Sequence, residues 1–94
     1  MEIQFTTQIF KEGRTYVAHT AQLDVSSCGG TKERALKNLK EAVRLFLEEA
    51  EKMGTLDQIL EEAGYLKRRS VLEGPKFVGI ERVSLHLPIA DAKT

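Results

Sequence analysis

The side chains best suited to chemistry in this sequence are His19, His86 and Cys28, with Ser26 and Ser27 just ahead of the cysteine. Imidazole and thiolate are metal ligands when gathered at short spacings such as Cys-x2-Cys or His-x3-His. Here they are scattered, and they read as two strand-surface imidazoles and an isolated thiol. Cys28 becomes a nucleophile only if a histidine or a helix N-terminus lowers its pKa. A helix start lies close by in sequence, which supports mild reactivity but not catalysis. Ser26-Ser27 has no Gly-x-Ser-x-Gly elbow. Gly29-Gly30 ahead of a helix offers backbone N–H groups to an anion, yet it lacks the spacing of a dinucleotide or nucleotide phosphate loop and reads as a tight corner. Glu2, Glu12 and Asp24 fall in the strand region, and Glu33, Glu41, Glu48 and Glu49 lie mostly off an apolar helical stripe, as a solvated face. No catalytic residue, metal ligand or cofactor is expected, and the chain reads as a non-enzyme.

The 94 residues allow one small domain. Hydrophobic residues make up 41% and charged residues 30%, a globular balance that excludes collagen-like and disordered classes. Fourteen basic residues cancel fourteen acidic ones, which argues against nucleic-acid binding by bulk positive charge. Apolar runs fall far short of the roughly 20 residues that span a bilayer. The start, Met1-Glu2-Ile3-Gln4, has no basic region followed by an apolar one, so no secretory signal is expected. A single cysteine cannot form an intrachain disulfide, in keeping with the cytoplasm. A domain this small buries only about 60–65% of its unfolded surface, so self-association is a natural supplement.

The elements that would position these residues follow from periodicity. Residues 2–10 alternate, with Ile3, Phe5 and Ile9 on one side, and predict a strand. Lys11-Glu12-Gly13-Arg14 is a turn, followed by strands over 15–20 and 22–26, the latter carried by Leu23 and Val25. The period then changes to 3.6. Thr31 is an N-cap, and Ala35, Leu36, Leu39, Ala42, Val43, Phe46, Leu47 and Ala50 form one apolar stripe ended by Gly54. Glu33–Lys37 and Glu48–Lys52 are favourable i,i+4 pairs. Thr55 and Gln58 make a capping box for a second helix bearing Leu56, Ile59, Leu60 and Ala63, stopped by Gly64. Residues 65–76 read as a loop. Val83, Leu85 and Leu87 alternate with Ser84 and His86 as a last strand ended by Pro88, with 89–94 as a tail. The expected order is β-β-β-α-α-β: an α+β, two-layer domain in which a long helix covers an antiparallel meander.

One stretch is more specific. Tyr16-Val17-Ala18, then Gly29-Gly30-Thr31, then Glu33-Arg34-Ala35-Leu36-Lys37-Asn38-Leu39-Lys40-Glu41-Ala42 resembles, in order and spacing, the HicB-like antitoxin family. Arg34 stands where that family usually has a second glutamate, and Gly30 where it has a polar residue; both are surface-type changes at a helix entry. The resemblance implies a partial RNase H-like fold without nuclease carboxylates, and a HicA-like, mRNA-cleaving toxin as protein partner. Larger relatives carry a C-terminal helix-turn-helix or ribbon-helix-helix module. Arg82 to Pro88 is similar to a ribbon-helix-helix reading strand, but the six residues after Pro88 are too few for its helices. A closing sheet strand is therefore the preferred reading, and DNA binding is doubtful.

The expected function is accordingly that of an antitoxin-type protein. Glu48, Glu49, Glu61 and Glu62 are the charge-based candidates for a basic toxin. One alternative is a stand-alone homo-oligomeric regulator or scaffold, a homodimer or larger. A second is weak nucleic-acid binding through Lys67-Arg68-Arg69, a basic cluster without interleaved aromatic rings.

Overall fold

The computed structural model describes residues 1–89. It is an α+β arrangement of two three-stranded sheets and two helices, with a long helix following a meander. The meander consists of β2 (Gln8–Glu12), β3 (Thr15–Thr20) and β4 (Val25–Gly29), antiparallel in the order β2-β3-β4. The second sheet consists of β1 (Glu2–Ile3), β6 (Val71–Glu73) and β5 (Leu66–Arg68) in the order β1-β6-β5. In it β1 runs parallel to β6, and β5 and β6 form an antiparallel hairpin.

The N-terminal strand expected over 2–10 is thus divided, because its two ends take partners in different sheets. The change of partner leaves main-chain groups of Gln4–Thr7 outside any strand ladder, and three of them find individual partners. Gln4 N donates to Leu72 O at 3.1 Å, Thr6 N donates to the Gln22 side-chain oxygen at 2.8 Å, and the Tyr65 hydroxyl donates to Gln4 O at 2.8 Å. The third meander strand starts at Val25 rather than near Gln22, since Ala21–Asp24 form a turn with Asp24 at φ 53°. Residues 65–76, expected as a loop, hold the β5–β6 hairpin; Arg69 takes the left-handed conformation at its tip, at φ 57°. The strand expected over 83–87 forms no ladder, and β6 is the last strand among the described residues. Of the expected 89–94 tail, residues 90–94 lie outside the described residues.

Helix α1 (Lys32–Met53) forms as its stripe predicts. The Thr31 hydroxyl accepts from Arg34 N at 3.1 Å, and Gly54 closes the C-terminus at φ 77°. Helix α2 (Leu56–Glu62) follows with Thr55 at its N-cap position, but the expected capping box does not form: the Thr55 side chain makes no capping bond, and its hydroxyl donates back to Ala50 O at 3.4 Å. Ala35, Leu39, Val43 and Ala50 are the buried face of α1. Ala35, Leu39 and Val43 join Ala18, Leu23, Leu60 and Tyr65, flanked by Ile3 and Leu72, so that both sheets share a continuous core. Alanine at 18 and at 35 lets β3 and α1 approach closely, and both are fully buried. No helix among the described residues is long and apolar enough to cross a membrane.

The corner between β4 and α1 explains its first glycine. A Cβ on Gly29 would lie 2.7 Å from Ala35 N and 2.8 Å from Arg34 Cβ, whereas one on Gly30 would meet nothing within 4 Å. Gly29→Ala is therefore expected to destabilise the fold by about 1–3 kcal/mol, the usual range for overpacking. Gly30→Ala should stay within about 0.5 kcal/mol of the parent. Urea unfolding of the two variants side by side checks this contrast.

Candidate interaction surfaces

The meander has a covered and an open face. Tyr16, Ala18 and Thr20 point toward α1; Val17 and His19 point away, and by register they stand beside Phe10, Gln8, Cys28 and Ser26. On this open face His19 Nδ1 lies 2.6 Å from Ser26 Oγ, and Nε2 lies 4.0 Å from the exposed Asp24 carboxylate. This hydrogen bond joins residues seven apart that only the strand register makes neighbours. The trio provides a hydrogen-bonded hydroxyl and imidazole on a solvent-facing sheet. A carboxylate 4.0 Å from Nε2 does not orient the ring as a catalytic relay requires. Cys28 is exposed on the same face, and His86 lies in the exposed segment beyond β6. Among the described residues no three His, Cys, Asp or Glu side chains stand close enough to hold a metal ion.

The four acidic candidates are not brought together. Glu48 accepts from Arg44 Nη1 at 2.9 Å, and Arg44 also bonds Glu41. These two carboxylates raise the guanidinium pKa, the Glu41 hydrogen bond contributing most. Arg44 thus displaces the expected Glu48–Lys52 pair. Glu62 accepts from Gln58 Nε2 at 3.0 Å. Glu49 and Glu61 are exposed and take part in no ion pair among the described residues.

The basic cluster also divides. Lys67 and Arg68 are adjacent on β5 and so point to opposite sides of the sheet. Arg68 Nε is 3.3 Å from Glu73 Oε2 across the hairpin, which neutralises one of the three charges. A run that is contiguous in sequence is therefore not one patch in space.

Two further surfaces stand out. A groove of about 390 Å³ runs between α1 and the second sheet, with Ile3, Phe5, Leu47 and Leu72 on its apolar walls and Arg44 and Glu48 at its rim. On α1, the side chains Leu45, Phe46 and Met53 are exposed. Asn38 marks the side of α1 next to β4, its Nδ2 donating to Cys28 O at 2.8 Å. The Asn38 contact could have been foreseen only from the register of β4 against α1. No protein-family model, curated protein or solved structure matches this chain.

Proposed function

We propose that this chain is a non-catalytic docking protein of the HicB-like antitoxin kind, which binds a small basic toxin of the HicA kind and covers its RNA-cleaving surface. The observation that carries the reading is the placement of the residues behind the resemblance. Tyr16-Val17-Ala18, Gly29-Gly30-Thr31 and the Ala35–Ala42 segment form one contiguous unit, β3–β4–α1. In that unit Ala18 and Ala35 are fully buried, Gly29 is pressed against the first turn of α1, Thr31 caps it, and Asn38 holds the β4 carbonyl of Cys28. These five motif residues thus have structural tasks, and the exposed carboxylates are left to meet a partner. Glu49 and Glu61, with no ion pair to break among the described residues, are the better placed of the four; Glu48 and Glu62 would first have to leave Arg44 and Gln58. Inhibition would be steric, with complementary charge accelerating encounter.

Co-expression with a small basic HicA-like product encoded beside it is the test. A co-purifying complex and relief of toxin-induced growth arrest are expected. Glu49→Lys together with Glu61→Lys should slow association at low salt at least about tenfold. Failure to form a complex with that product at micromolar concentration would overturn the reading.

A further inference from the structure

The largest unexplained feature lies beyond the second sheet. Residues 76–87 form neither helix nor strand ladder, yet they carry Phe77, Val78, Ile80, Val83, Leu85 and Leu87, all exposed. Val83 and Leu85 are 83% and 81% exposed, values typical of polar loop residues rather than of branched aliphatic ones. The Cα radius of gyration is 16.6 Å. A compact chain of this length would have about 12 Å.

The second unexplained feature is the flank of the meander formed by β4 and α1. Among the described residues β4 has a neighbouring strand on one side only. The Asn38 amide on Cys28 O shows that this carbonyl faces away from β3. Ser26, two residues away, presents its N–H and C=O in the same outward direction. A side-chain amide thus occupies a position where an added strand would place a backbone N–H. Alongside this edge, Ala42, Leu45 and Phe46 follow Asn38 along α1 at helical spacing, on the side of the helix that Asn38 marks. From Asn38 to Phe46 the stripe runs about 12 Å. The apolar positions 83, 85 and 87 share one face of an extended strand and span about 13 Å.

We propose that residues 82–87 of one copy add as a strand to the β4 edge of a second copy, pairing with the outward N–H and C=O of Ser26 beside the Asn38 amide that already holds Cys28 O. Val83, Leu85 and Leu87 then cover Ala42, Leu45 and Phe46, while Ser84 and His86 lie on the open face beside Ser26 and Cys28. The occupant is a second copy because the arm cannot reach its own β4. Ile80 and Glu81 line a cavity with Thr7–Phe10 on the outer flank of β2, at the opposite side of the meander. Reaching the slot beyond β4 from there means crossing at least three strand spacings, about 14 Å. Val83 is only about 7 Å of extended chain beyond Glu81. Two copies exchanging arms close a two-fold pair, remove both free β4 edges and bury both apolar sets. The inference gives the self-association reading a specific surface and does not rest on the toxin reading.

Exposed positions allow a test that leaves the core intact. Leu85→Glu alters the arm, and Phe46→Glu alters the surface that receives it. Sedimentation of the full chain at about 50 μM should give twice the 10.6 kDa chain mass for the parent and the single mass for each variant, with unchanged circular dichroism. An equimolar mixture of the two variants should recover the double mass, because one intact arm still meets one intact receiving edge. A monomeric parent, a Phe46→Glu dimer as stable as the parent's, or a mixture that stays monomeric would each overturn the proposal.

Discussion

Replacing Leu39 with alanine is expected to lower the unfolding free energy by about 2–5 kcal/mol. Leu39 has no exposed surface and sits at the middle of the buried face of α1, in the cluster with Ala18, Ala35 and Val43. Its removal would leave a cavity that cannot collapse easily. The neighbours Ala18 and Ala35 are already small, and backbone pairing fixes β3 on both sides. A single domain commonly has only about 5–15 kcal/mol in total, so the loss is large. Urea titration should show a lower midpoint with an unchanged slope. A loss below about 1 kcal/mol would mean that α1 does not seal the meander as described.

The second large effect is expected at Tyr65. This side chain is 7% exposed, packs in the core cluster, and donates its hydroxyl proton to Gln4 O at 2.8 Å. Its ring also fills the space at Gly74, where a Cβ would come within 2.9 Å of Cζ. Tyr65→Ala should cost about 3–5 kcal/mol. Tyr65→Phe, which keeps the ring but leaves Gln4 O without this donor, should cost about 1–3 kcal/mol. The two variants separate packing from hydrogen bonding. Burial also pushes the Tyr65 phenol above its ordinary value. A group held protonated in the fold beyond its unfolded pKa contributes stability that is complete below the unfolded value, about 10, and disappears as pH rises through the folded one. The urea midpoint of the parent should therefore fall above about pH 10, and Tyr65→Phe should fall less over the same range.

What could be read from the residues alone divides along the range of the interactions. Helix α1 was legible because its cap, its stripe and its closing glycine are all local. Antiparallel pairing of the meander was legible for the same reason, since short turns join its strands. The division of residues 2–12 between two sheets was not legible. The alternation of Ile3, Phe5 and Ile9 runs through the break, and the cause of the break is a distant strand, Val71–Glu73. The β5–β6 hairpin was obscured because its tip uses Arg69 at positive φ, where a glycine or asparagine would have signalled a turn. β4 was placed too early because Leu23 and Val25 have strand character, whereas Ser26-Ser27-Cys28-Gly29 does not; pairing to β3 overrides that propensity. The alternation in 83–87 has strand character but no partner strand among the described residues. As for the surfaces, Glu48 and Arg68 were identifiable as charges, but their neutralisation by Arg44 and Glu73 needed the helix geometry and the hairpin register.

The first dozen residues have a further consequence. Their leading end is bonded to the last hairpin and their trailing end to the meander, so they act as a seam between the two β layers. A seam of this kind transmits damage: loosening Glu2–Ile3 frees one border of Val71–Glu73, and with it the anchorage from which the C-terminal arm departs. The opening of the polypeptide and its far end are mechanically joined, and neither half of the molecule is built to melt alone.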